Sequence, residues 1–220
     1  MIRITRRRAM AGTALALLLA GAGTYAFWDD PTLDGSKEIN AALPTEKDMP
    51  GFMPNRGIEG VLSPPGGDRN GKAVLTGREL GAQCRTYRKQ EDGWACQGLQ
   101  GMGMVGFANT SNVDSRVGSF VLAYKDDDAA ETAWKKMVEK TRKELPKAKE
   151  QKAPHVGDES QYFVLGTGSV VVLRSGSVVA QAMSFYEYGY KDGAEYADEL
   201  KDPIRMWSAL QVKKMEEALK

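Results

Sequence analysis

The chain has 220 residues, 42% hydrophobic and 27% charged, the balance of an ordinary globular protein rather than a disordered or fibrous one. Its 30 Lys and Arg against 29 Asp and Glu leave a formal charge of +1, with no basic excess to hold a nucleic-acid backbone. One histidine and two cysteines are too few side chains for a multi-ligand zinc or iron–sulfur centre.

The N-terminus opens with Arg3, Arg6, Arg7 and Arg8 and continues as an apolar run from Ala9 to Trp28 without a charge. A basic segment followed by an apolar one is an export signal, because the arginines stay cytoplasmic while the apolar stretch enters the membrane. Thr5-Arg6-Arg7-Arg8-Ala9-Met10 also resembles a twin-arginine signal. Small-x-small sites at Ala20-Gly21-Ala22 and Thr24-Tyr25-Ala26 suit cleavage, whereas a run of about 20 apolar residues ending at Trp28 suits an uncleaved membrane anchor. Either way residues 1–28 place the body of the protein outside the cytoplasm. Cleavage after residue 26 removes four arginines and no acid, taking the formal charge from +1 to −3.

Residues 29–76 read as a linker with one short helix, Lys37 to Leu43, capped by Ser36 and stopped by Pro44. Pro64-Pro65-Gly66-Gly67-Asp68 marks a loop within it. Residues 77–220 read as one domain. Strands are expected at Gln83–Lys89, Gly93–Gln100 and Val117–Tyr124. A long helix follows over Asp126–Leu145, with Asp126, Asp127 and Asp128 at its positive end and Lys140, Arg142 and Lys143 at its negative end. Ala130, Trp134, Met137, Val138 and Thr141 recur along it at helical spacing. Strands at Gln161–Leu165, Ser169–Arg174 and Ser177–Phe185 come next, the last two joined as a hairpin through Ser175-Gly176. Ala194–Lys201 precedes Asp202-Pro203, an N-cap and first-turn proline that open a final helix bearing Ile204, Trp207, Leu210, Met215 and Leu219. The order implies the α+β class: a mostly antiparallel sheet with helices packed on one face, behind the N-terminal signal or anchor helix.

Several constellations bear on chemistry. Cys84 and Cys96 in an exported chain are expected to form a disulfide, worth on the order of 3 kcal/mol, that clips two neighbouring strands. Gly101-Met102-Gly103-Met104-Val105-Gly106 spells the dinucleotide fingerprint, but Phe107-Ala108-Asn109-Thr110 after it is no helix start, so it reads as a Gly-rich loop beside a groove. His155 is the sole histidine, and no Gly-x-Ser-x-Gly or Ser-x-x-Lys motif offers it a nucleophile, so no catalytic residue is assigned. Asp126-Asp127-Asp128 does not project to one point as calcium ligands do, and no metal or other cofactor is expected. Tyr186, Tyr188 and Tyr190 alternate with Glu187 and Gly189 and present apolar rings with polar tips. These three with Met102 and Met104 are the expected lining of a shallow ligand groove, with His155 at its rim.

Leu43-Pro44-Thr45-Glu46-Lys47-Asp48-Met49-Pro50-Gly51 resembles the opening of many exported actinobacterial proteins related to the extracellular sensor domain of receptor-type serine/threonine kinases. The later order is similar as well: an Asp-Ala-rich helix, Val156-Gly157-Asp158-Glu159-Ser160, then Val170–Arg174 with Gly176. The resemblance implies a non-catalytic, ligand-sensing domain with a sheet, flanking helices and a groove. That family usually carries a second cysteine pair, which this chain lacks. The function expected is thus a non-enzymatic, extracytoplasmic binding or sensing domain of the cell envelope. A small molecule or an envelope protein is its partner, with the membrane engaged through the N-terminal segment. The alternatives are an envelope hydrolase or transferase with an unrecognised site, and a passive structural envelope protein.

Overall fold

The computed structural model describes residues 32–33, 35–55, 72–88, 93–111, 115–151, 156–165, 168–186 and 196–220. The N-terminal signal or anchor, His155, Tyr188 and Tyr190 lie outside them. In chain order the elements are α1 (Ser36–Ala41), a 3-10 turn (Glu46–Asp48), β1 (Phe52–Pro54), β2 (Lys72–Thr76) and α2 (Gly77–Tyr87). A second 3-10 turn (Gly93–Cys96) leads into β3 (Leu99–Asn109), β4 (Ser115–Tyr124) and α3 (Asp127–Glu144). The chain continues through β5 (Lys149–Gln151), β6 (Glu159–Leu165), β7 (Gly168–Ser175), β8 (Val178–Tyr186) and α4 (Tyr196–Ala218).

The strands form one eight-stranded sheet in the order β1-β3-β4-β8-β7-β6-β5, every described pairing antiparallel. β2 lies end to end with β1 along the outer edge of β3, against Gly101–Val105, while β1 covers Phe107–Asn109. The fold is therefore the expected α+β with an antiparallel sheet, but the helices cover both faces rather than one. Val171 and Leu173 of β7 pack with Ile204, Trp207, Val212 and Met215 of α4, in a cluster that also holds Ile39 of α1. Val172 turns the other way, toward Ala130, Ala133 and Val138 of α3, in a second cluster that also holds Leu80 and Cys84 of α2. The physical cause is legible in β7: a strand apolar at four successive positions, Val170 to Leu173, has no side to give to water.

Other expectations are corrected locally. The expected strand Gln83–Lys89 is helical as far as Tyr87, the end of α2, whose Leu80, Cys84 and Tyr87 recur at helical spacing on its inner side, and Lys89 lies outside the described residues. Gly93–Gln100 is a 3-10 turn followed only at Leu99 by strand. The expected loop at Gly101–Gly106 is the middle of β3, buried throughout. Residues read as linker supply Leu33, Ile39, Ala42, Leu43 and Met49 to the core, so that stretch belongs to the domain wherever it is described. The last helix runs unbroken from Tyr196 through Pro203 rather than opening at Asp202-Pro203, although proline has no N–H to give the Glu199 carbonyl.

The long helix α3 forms where the sequence placed it. The Asp126 carboxylate accepts a hydrogen bond from the Ala129 N–H at 2.8 Å, satisfying a donor that the first turn would otherwise leave open. Asp127 and Asp128 follow in the first turn, with Arg142 and Lys143 in the last. Trp134 Nε1 donates to the Val172 carbonyl at 3.3 Å and pins the helix to the sheet. On the opposite face, α1 is held by a buried lysine: Lys72 Nζ donates to the carbonyls of Asn40 at 3.0 Å, in its last turn, and of Leu43 at 2.9 Å, just beyond it. Gln211 joins the layers there, donating to the Ala42 carbonyl at 2.8 Å and accepting from Ser119 Oγ at 3.0 Å.

Candidate functional site

On the face covered by α2 and α3 these helices do not meet over the centre of the sheet, and a cleft of about 230 Å³ opens between them. Its floor comes from alternating positions of three adjacent strands. Met102 pairs with Leu122 across β3 and β4, and Phe120 pairs with Gln181 across β4 and β8, so the four side chains share one face. One wall is the inner side of α3, with Met137, Lys140, Thr141 and Glu144 at successive turns. The other wall is Tyr87 at the end of α2 with Trp94 and Ala95 of the 3-10 turn.

That second wall is fixed at two points. Cys84 and Cys96 form the expected disulfide, with Cα atoms 5.7 Å apart, and it ties the inner side of α2 to the turn rather than joining two strands. Tyr124, fully buried, donates its hydroxyl to the Ala95 carbonyl at 3.1 Å. Burial pushes the Tyr124 phenol well above the ordinary tyrosine range, so it stays protonated and keeps donating.

The polar groups of the cleft sit at its α3 end. Lys140 and Glu144 pair along the helix at 3.6 Å and offset each other's charge. Thr141 Oγ1 donates to the Met137 carbonyl one turn back, at 2.8 Å. The same oxygen accepts a long hydrogen bond, 3.4 Å, from Gln181 Nε2. The remainder is aromatic or aliphatic, so the cleft has an apolar body and a polar end, the usual make-up of a small-molecule site. Trp94 also borders a more polar depression with Gln97, Gly98, Lys125, Asp126 and Asp128, where Asp126 is engaged as the cap of α3 and pairs with Lys125 at 3.1 Å. Among the described residues no group of three or more His, Cys, Asp or Glu is placed to hold a metal ion. No helix among them is long and apolar enough to cross a membrane.

Of the residues expected to line a groove, Met102 lines this cleft, at 4% exposure. Met104, at 1%, lies deeper in the same layer and does not reach it. Tyr186 ends β8 opposite Ser115. Ser115 and Leu122 are about 23 Å apart along β4 at roughly 3.3 Å per residue, so the structure does not bring Tyr186 to Met102. Tyr188, Tyr190 and His155 fall outside the described residues. Met102 is the one lining residue that the sequence reading assigned to a groove; those it missed include Trp94, Phe120 and Gln181. Gln181 carried a signal: it is the one polar position in Val178-Val179-Ala180-Gln181-Ala182-Met183, a run otherwise fit for complete burial.

Two of the strings that carried the family resemblance, Val156–Ser160 and Val170–Arg174 with Gly176, meet in space. Arg174 Nε pairs with Glu159 at 2.7 Å and its Nη1 lies 3.5 Å from Asp158, while Asp158 accepts from the Gly176 N–H at 2.7 Å. Gly157 has φ +72°, and a side chain there would overlap the Arg174 carbonyl, so glycine is required. The knot holds the β7–β8 turn to the start of β6 and lies apart from the cleft.

No protein-family model matches the chain, and no curated protein matches it. Among solved structures, the chain is similar to the extracellular domain of PknH from Mycobacterium tuberculosis, at 12% identity and a TM-score of 0.49, over 83% of this chain and 97% of that one.

Proposed function

We propose that this chain is a non-enzymatic binding or sensing domain that works outside the cytoplasm, and that its ligand occupies the cleft between α3 and the disulfide-held turn. The observation that carries the reading is the cleft itself: about 230 Å³, floored by Met102, Phe120 and Leu122, walled by Trp94 and closed at one end by polar groups. An enclosure of that size holds about eight waters at roughly 30 Å³ each, or a ligand of about a dozen heavy atoms. Apolar surface that a packed core would bury is left for a guest, and the disulfide keeps the wall in place without one. Arg6, Arg7 and Arg8 with the apolar run behind them support placement outside the cytoplasm, where that disulfide is stable.

The test uses 2-naphthol, an apolar probe of suitable size. It should raise the melting temperature of the wild-type protein in a dose-dependent way and leave that of Ala95→Trp, whose new ring fills the cleft, unchanged. An equal shift in both proteins would place binding elsewhere. Residues 1–30 fused to a reporter active only outside the cytoplasm should give signal, and Arg6→Lys with Arg7→Lys should abolish it if export follows the twin-arginine route.

A further inference from the structure

Gln181 is the only amide in the floor of the cleft, and its orientation is dictated by a neighbour. The Thr141 hydroxyl proton is committed to the Met137 carbonyl at 2.8 Å, so towards Gln181 the Thr141 oxygen has only a lone pair to offer. Gln181 must therefore present its NH2, as the 3.4 Å contact records, and its carbonyl oxygen faces the other way. Among the described residues that oxygen has no hydrogen-bond partner, yet it is not among the sealed, unsatisfied buried atoms, so it opens to the cleft. Its surroundings are Phe120 directly across the strands and Leu122 and Met137 beside it in the lining. The one full positive charge in the lining, Lys140, is offset by Glu144 at 3.6 Å.

From this geometry we infer that the cleft selects an uncharged, largely apolar molecule bearing one hydrogen-bond donor, a phenol, an indole N–H or an alcohol, which it delivers to Gln181 Oε1. The inference rests on the proposed function and adds the chemical class of the ligand. A donor is specified because an acceptor meets no partner at this oxygen. A neutral group is specified because an ion would leave water for an apolar floor without a free counter-charge. Thr141 acts as a positioning residue: it fixes which end of the amide the ligand meets.

Calorimetric titration of the full-length protein with 2-naphthol and with 2-methoxynaphthalene, its methyl ether lacking the donor, tests this directly. Wild type should bind the naphthol roughly three- to tenfold more tightly, the range of one neutral hydrogen bond. Gln181→Met should bind both compounds equally. Thr141→Val frees the amide to turn its NH2 outward and should narrow the preference while the melting temperature stays near wild type. The wild-type comparison needs no variant, so a folding defect in Gln181→Met cannot mask the result. Equal binding of the two compounds by wild type would overturn the donor requirement while leaving the cleft as the ligand site. Binding of neither would overturn both.

Discussion

A side chain at Gly101 would overlap Cδ1 of Ile39: β3 presents bare backbone so that α1 can lie directly on it. Gly103 continues the seat, since a Cβ there would stand 2.9 Å from Ile39 Cγ2 and 3.1 Å from Leu43 Cδ1. The letters of a dinucleotide fingerprint thus serve close approach, but the approaching group is a helix of the same chain. Gly101→Ala should destabilise the protein by about 1–3 kcal/mol through overpacking. In an Ile39→Ala background the added penalty should fall by more than half, a coupling that urea midpoints of the four proteins would reveal.

These glycines also show why parts of the fold were hidden in the sequence. Alternation and β-propensity both fail at Gly101-Met102-Gly103, because the burial of that strand depends on Ile39 and Leu43, about sixty residues earlier. The helix α2 was obscured similarly, by Gly77 and Gly81 in its first turns, although Leu80, Cys84 and Tyr87 mark its buried stripe. By contrast α3 was readable end to end, since its charges, cap and apolar spacing agree. The hairpin of β7 and β8 was readable for the same reason. The cleft was not, apart from Met102, because its lining is assembled from the ends and middles of separate elements. Only their register and the disulfide bring them together.

The disulfide supports both stability and the site. Cys84→Ser should lower stability by roughly 2–4 kcal/mol in the chain-entropy account. Reduction should also release the turn bearing Trp94 and Ala95, so affinity for 2-naphthol should drop even at temperatures where the reduced protein remains folded. Near-ultraviolet circular dichroism and calorimetry on the same sample would separate the two effects.

Asp48 predicts an acid-side dependence. Burial pushes its carboxyl up, but the Thr45 hydroxyl at 2.7 Å, Lys214 Nζ at 2.9 Å and the Thr45 N–H at 2.8 Å outweigh that and hold it below the ordinary range. A depressed carboxyl contributes stability that is fully present above the unfolded-state value, about 3.9, and is lost as pH falls through the lower folded-state value. Asp48→Asn should therefore destabilise the protein at pH 7 and flatten its loss of stability below about pH 4. Melting temperatures of the two proteins should converge as the pH is lowered.

The binding role of the cleft is tested most directly by methionine methyl spectra of 13C-labelled protein during titration with 2-naphthol. Met102 and Met137 line the cleft, Met215 is fully buried on the opposite face, and Met53 is 41% exposed at the sheet edge. A ligand seated in the cleft gives saturable shifts at Met102 and Met137 with Met215 and Met53 unmoved. Saturable shifts at Met215 or Met53 alone, or no saturable shift at Met102 and Met137, would contradict that binding role.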